Sequence, residues 1–195
     1  TLTNDKARQE AIFTKTTQLF PNDFRAYNNL GEMAFAAGDM AKAESFFKQA
    51  AAKNANAPEV NANLGLCELV KNNVASAETY LGKATGANAA NEALGNLYIK
   101  QGQYQRAVNA FGDAKTNSAA QAQILAKDYN KAKATLEAIK DKDAMTDYLM
   151  AIVGARTNNE SLVKSSIKSA IAKDASLATK AANDREFAKF ASALK

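Results

Sequence analysis

Apolar residues recur three and four positions apart along nearly the whole chain, the spacing that gathers them on one face of an α-helix. The pattern is clearest in residues 91–111, NEALGNLYIKQGQYQRAVNAF. Leu94, Leu97 and Tyr98 form one stripe, Ala107 and Phe111 form a second, and Gly102-Gln103 breaks the period between them. Gly95 and Ala107 are small where two such helices must approach closely, whereas Gly112 falls at an outward position. Runs of β-branched residues are scarce, which favours an all-α fold.

The same pairing can be followed along the chain. A first helix is predicted over 4–19, capped by Asn4 or Asp5, carrying Ala11, Ile12, Leu19 and Phe20, and stopped by Pro21. A pair over 24–57 has Tyr27, Leu30, Gly31 and Ala34 on one helix, a turn at Gly38-Asp39, and Ala43, Phe47 and Ala50 on the other. A pair over 58–87 opens on Pro58, a good first-turn residue, and carries Leu64, Gly65, Ala77, Leu81 and Ala84 around a turn at Asn72-Asn73. The pair over 88–117 repeats the arrangement with Leu94, Gly95, Tyr98, Ala107, Phe111 and Ala114. Gly31 and Gly65 are 34 residues apart and Gly65 and Gly95 only 30, which predicts a shortened connection near Thr85–Ala87.

Beyond Ala114 the repeat degrades. Residues 118–140 predict a short helix near 119–127 and a second with Tyr129, Ala132, Leu136 and Ile139. Over 141–173, Tyr148, Leu149, Ile152 and Val153 face inward, Asn158-Asn159 turns, and Leu162, Val163, Ile167 and Ala170 face inward from the next helix. Residues 174–195 read as two closing helices, 175–182 and 184–194, the last anchored by Phe187 and Phe190. The whole, 1–195, reads as one helical-repeat domain.

Composition adds mainly exclusions. No run of about 18 apolar residues exists, so direct membrane insertion is not expected. The net charge is +5, and residues 151–195 hold eight basic against four acidic residues. A solvated helix surface accounts for such a surplus, and an acidic partner or a membrane surface is the alternative. Aromatics are not interleaved with the basic stretch, so nucleic acid is not an expected partner. Histidine is absent and Cys67 is the one cysteine, which removes imidazole catalysis, an intramolecular disulfide and a thiolate zinc site. Gly82-Lys83-Ala84-Thr85 lacks both the first glycine of a phosphate loop, where Ala77 stands, and a hydroxyl after the lysine. The pairs Asp141/Asp143 and Asp184/Glu186 fall at helix starts, where carboxylates complement the dipole. No catalytic, cofactor-binding or metal-binding residue is therefore expected, no cofactor is implied, and an enzyme is not expected.

The spacing L-G-x2-Y followed by A-x3-F in 94–111 resembles the tetratricopeptide repeat, or TPR, as do the equivalent residues over 24–114, and the resemblance weakens beyond them. The family's usual tryptophan is replaced by Tyr27, Asn61 and Asn91. The resemblance implies a right-handed α-solenoid of antiparallel helix pairs, A and B, whose A helices line a concave groove. Groove-facing positions fall on Arg25, Asn28, Glu32, Phe35 and Ala36, then on Glu59, Ala62, Leu66, Leu69 and Val70, then on Ala89, Glu92, Asn96, Ile99 and Lys100. A subfamily that reads a C-terminal carboxylate does so through a basic clamp; the matching positions here are Asn28, Glu32, Asn63, Ala89 and Ala93, without its lysines and arginine. Pro21 falls where the family closes a repeat, so 4–20 occupy a B-helix slot of a repeat begun upstream, with a native N-terminal cap as the alternative. Phe13 then takes an inward aromatic position, and Ile12 faces the unfilled side. The implied function is a protein–protein interaction scaffold, binding a peptide or helix of a partner, or another domain of the same protein, in that groove. The alternative is a structural spacer or packing domain with no groove ligand. The alanine-rich, degenerate repeats are also similar to the C-terminal TPR region of bacterial cell-envelope proteins with an upstream OmpA-like domain, which implies an envelope or periplasmic location; the alternative is the cytoplasm.

Overall fold

A computed structural model describes residues 2–84, 86 and 88–194, and every secondary-structure element among them is helical. Thr85 and Ala87, where the shortened connection was expected, lie outside the described residues. The chain forms two compact units, Thr1–Leu94 and Gly95–Lys195. The first holds α1 (Leu2–Leu19), α2 (Phe24–Ala36), α3 (Met40–Lys53), α4 (Pro58–Val70) and α5 (Val74–Lys83). Helix α6 (Asn88–Lys100) begins in the first unit and ends in the second. The second continues with α7 (Tyr104–Phe111), α8 (Asn117–Leu125), α9 (Tyr129–Ala138), α10 (Ala144–Arg156), α11 (Glu160–Lys173), α12 (Leu177–Asn183) and a closing 3-10 stretch, Arg185–Leu194.

Helix starts are set by short polar side chains that accept an orphan backbone N–H. Asp23, Asp39, Thr116, Asp128, Asp143 and Asn159 each do so for the helix that follows. Each pair is closed by one residue with left-handed backbone: Gly38 (φ 81°), Asn72 (61°), Gly102 (72°), Lys127 (65°) and Asn158 (56°). The next N–H then donates back to the carbonyl five residues earlier, as from Asp39 to Ala34 (2.9 Å), Asn73 to Glu68 (2.8 Å) and Asp128 to Gln123 (2.8 Å). This is the Schellman closure, which glycine and asparagine adopt most readily. Lys127 occupies the same place without either advantage. That is why the sequence reading extended a helix to 127, whereas α8 ends at Leu125.

Glycines mark the close A–B contacts. A Cβ on Gly31 would lie 2.4 Å from the Phe47 ring, one on Gly65 2.6 Å from Leu81, and one on Gly95 2.5 Å from Phe111. Gly154, which the periodicity did not single out, plays the same part against the Val163 backbone at 3.0 Å. Ala43, Ala77 and Ala107 beside the first three of these contacts are fully buried, as is Ala132 on α9. The closing segment seals unit two: Phe187 is fully buried and meets the Tyr148 ring edge-on at 5.5 Å, and the Tyr148 hydroxyl donates to Asp184 at 2.7 Å.

Two boundaries differ from the sequence reading. Helix α1 begins at Leu2, so Asn4 and Asp5 lie within it and not at its N-cap position. The last segment, read as a helix over 184–194, is 3-10 with non-helical backbone at Phe190. Fitting both Phe187 and Phe190 into one small core favours that tighter, broken winding.

An ionic network ties α3 to α4. Lys71 bonds Glu44 (3.1 Å) and Glu68, and Asn73 donates to Glu68 at 2.9 Å. These bonds, from Lys71 first and then Asn73, hold the Glu68 carboxyl below its ordinary 4.5. A carboxylate depressed in the folded state adds stability above its unfolded pKa and loses it as the pH falls through the folded one. Between about pH 5 and pH 3, urea titrations of Glu68→Gln should therefore show a shallower loss of stability than wild type. Equal slopes would mean that the network contributes nothing.

Candidate functional site

The side chains expected to line a groove fall in both units. In unit one, α2 and α4 are laced together by polar side chains. The Asn63 amide donates to Asn28 Oδ1 (2.9 Å) and Glu32 Oε1 (3.1 Å), and the Asn28 amide donates to the same Glu32 oxygen (2.8 Å). Asn28 is thereby only 4% exposed although polar. A satisfied network of this kind fixes the register of two A helices in a way that apolar packing alone does not. Beside it, Phe35 is half-buried against the cluster of Ala34, Phe47 and Cys67. Leu66 is half-buried, and Val70, one turn further on, is 59% exposed. The pair forms an apolar ridge open to solvent.

Other expected residues are committed elsewhere. Ala62 is 5% exposed, in a cluster with Leu81, Ala84 and Ala90 that Leu69 also joins. Those two pack on their own chain, and Ala62 offers no open surface. Arg25 turns back on Asp23, with Nη2 and Nε at 2.6 and 2.9 Å. The guanidinium and the Arg25 N–H hold the Asp23 carboxyl down to about 2. Glu32, Ala36, Glu59, Ala89 and Glu92 are exposed. In unit two, Asn96 and Ile99 are half-buried and Lys100 is exposed in the last turn of α6. Behind them Arg106 stacks 4.1 Å over the Tyr98 ring and donates to its hydroxyl at 2.7 Å.

Three of the four carboxylates that a catalytic reading would need have structural partners, and the fourth, Asp141, is exposed. Asp143 takes the Thr146 N–H in a capping box and an amide hydrogen from Asn117, which hold it below the ordinary carboxylate range. Glu186 is paired with Arg156 (2.7 Å), and Asp184 receives Tyr148. Cys67 is buried, and burial pushes its thiol up. Among the described residues no group of three or more His, Cys, Asp or Glu could hold a metal, and no helix is long and apolar enough to cross a membrane.

One feature of this face was not foreseen. Asn63 was noted only as a position of a clamp, and its bonds to Asn28 and Glu32 join residues 35 and 31 apart, a spacing that no single-helix period reports.

Comparison with known proteins agrees with the helix pairs. No curated protein matches the sequence. Among solved structures the chain is similar to PilW, a widely conserved type IV pilus biogenesis factor, at 19% identity and a TM-score of 0.63, covering 98% of this chain and 92% of that one. It is similar to PilF of Pseudomonas aeruginosa at 13% identity and a TM-score of 0.73, over 98% and 91%. It is also similar to YrrB, a TPR protein with an unusual peptide-binding site, at 18% identity and a TM-score of 0.65, over 84% and 92%. At these identities the likeness is one of fold. Three tetratricopeptide repeat models match residues 8–58, 34–98 and 90–119, which together span more than half of the 195 residues. With Gly31, Gly65 and Gly95 set in turn against Phe47, Leu81 and Phe111 and left-handed turns recurring through those residues, the chain belongs to the tetratricopeptide repeat family.

Proposed function

We propose that this protein is a non-catalytic interaction scaffold that binds a helix or an extended apolar segment of a partner protein on the A-helix face of unit one. The observation that carries the reading is the Leu66–Val70 ridge, left open beside an Asn28–Glu32–Asn63 network that holds the two A helices rigid. Pre-organised apolar grooves with a few fixed polar groups are how amphipathic helices are recognised. Phe35 extends the apolar floor, and Arg25, Glu32 and Glu59 form a mixed rim. Glu92, Asn96, Ile99 and Lys100 are proposed as contacts on the face of α6. The reading needs no cofactor, metal or nucleic acid. A structural spacer is the second reading, favoured by the packing of Ala62 and Leu69 against their own chain.

Pull-downs from envelope and cytosolic fractions of the native bacterial host test both. The double variant Leu66→Glu, Val70→Glu alters solvent-facing positions and should keep its helical circular dichroism. It is expected to recover at least about tenfold less partner, since a charge in an apolar groove loses contact and adds desolvation. Equal recovery would favour the spacer. Likeness to PilW, a type IV pilus biogenesis factor, leads us to expect the partner in the envelope fraction. Its recovery from the cytosol alone would place the scaffold in the cytoplasm.

A further inference from the structure

The first helices of the pairs at α2, α4, α6 and α10 are each 13 residues long, whereas α8 has 9. It is shorter by about one turn. Its buried side chains are Ala119, Ala120, Ala122, Gln123 and Ile124, so a single large apolar group anchors it. Hydrophobic stabilisation follows the apolar area removed from water, and alanine brings little. Beside it a cavity of about 300 Å³ lies between α8 and α10, with Ile124 and Leu125 on one wall and Leu149 and Ile152 on the other.

The polar groups of α8 add to this weakness. Gln123 is 1% exposed, yet its Oε1 accepts no hydrogen bond. Asn117 Oδ1, in the first turn of the same helix, is likewise buried and unmet. Among the described residues these are the two buried side-chain atoms without a partner, and α8 carries both. An unpaired buried oxygen bears its full desolvation penalty in the folded state and loses it once the segment opens to water. The turn that closes the helix acts in the same direction. Other pairs turn on Gly38, Asn72, Gly102 or Asn158, and this one turns on Lys127 at φ 65°. Lysine has neither the missing Cβ of glycine nor the short polar side chain of asparagine, so its left-handed backbone is strained and relaxes on release.

We propose that the α8–α9 pair is a hinge within unit two, which unfolds locally while α10 and α11 stay packed. The short core, the two unmet oxygens and the left-handed lysine all favour opening, and opening relieves the last two outright. Helix α9 goes with α8, because Ala132 and Leu136 share a cluster with Ala120 and Ile124. The next pair is built the other way: Asp147 on α10 receives the Ser169 hydroxyl (2.6 Å) and the Lys173 ammonium (2.8 Å) of α11. An interior pair therefore opens before one nearer the end, the reverse of simple fraying from a terminus. Opening parts Ile124 and Leu125 from Leu149 and Ile152, and the cavity widens into an apolar surface that the closed protein does not present.

Native-state hydrogen exchange on the intact chain tests this, in the regime where the rate follows the opening equilibrium. Amides of α8 and α9 are expected to exchange at least about tenfold faster than those of α10 and α11. Lys127→Gly, at an exposed position, relaxes the turn and should slow exchange in α8 and α9 by about fivefold. Gln123→Met removes the unmet oxygen at nearly constant shape and should slow it by a similar factor, about fivefold. Neither change should move α10 and α11 by more than about twofold, since they stay packed when the pair opens. If Gln123→Met fails to fold, Lys127→Gly decides alone. Protection of α8 and α9 equal to that of α10 and α11 overturns the proposal. So does equal slowing of all four helices, because the pair then opens only with the rest of the unit. Faster exchange in both variants also overturns it, because the turn and the oxygen would then be stabilising.

Discussion

Phe187→Ala is expected to cost about 3–5 kcal/mol, the range for emptying a large aromatic from a close-packed core. Phe187 is fully buried and shares its cluster with Tyr148, Ile167, Leu177 and Ala181. Its loss removes the edge contact that orients the Tyr148 ring and, with it, support for the bond from Tyr148 to Asp184. For a chain of this size the melting midpoint of unit two should fall by on the order of 10 °C. Because repeat proteins contact chiefly their neighbours in sequence, the damage should be local. Hydrogen exchange should speed up over α10, α11 and α12 and leave α2 to α4 protected. Equal loss of protection in both regions would show that the chain melts as a single cooperative body.

Gly95→Ala and Gly82→Ala are expected to act in opposite directions. At Gly95 the new methyl would meet the Phe111 ring at 2.5 Å, a distance that forces the ring or the helix to move. Overpacking of this kind costs about 1–3 kcal/mol. At Gly82, inside α5, nothing lies within 4 Å and the backbone is helical, so alanine should add up to about 1 kcal/mol by restricting the unfolded chain. Chemical denaturation of the two variants measures both signs at once, and a neutral Gly95→Ala would mean that the A–B contact is looser than described. Gly112 is no substitute control. It is outward, as the sequence reading held, but its φ of +56° strains any side chain placed there whatever the space.

The helix pairs were legible because each rule acts within a few residues. Gly31, Gly65 and Gly95 stand out beside apolar stripes, and Gly38, Asn72, Gly102 and Asn158 announce the turns. Lys127 defeats the same logic: it adopts the left-handed conformation without being glycine or asparagine, so its residue type does not mark the end of α8. The 3-10 winding of the last segment was also hidden, since Phe187 and Phe190 fit an α-helical spacing as well as the one observed. On the candidate face, the apolar positions Leu66 and Val70 could be listed from register. Which of the polar positions would be spent on holding helices together could not be read that way. Asn28, Asn63 and Glu32 are ordinary surface residues in sequence, and only their convergence across α2 and α4 makes them a brace.

Cys67 gives the molecule one more property. The chain's sole thiol is 3% exposed, and burial keeps it protonated, so the folded protein has almost no thiolate to offer an oxidant, an alkylating reagent or another thiol. Oxidising and reducing surroundings are then equivalent to it while α4 stays packed against its neighbours. Opening around α4 would uncover the sulfur, and covalent dimers formed through Cys67 would be a lasting record of molecules that had unfolded.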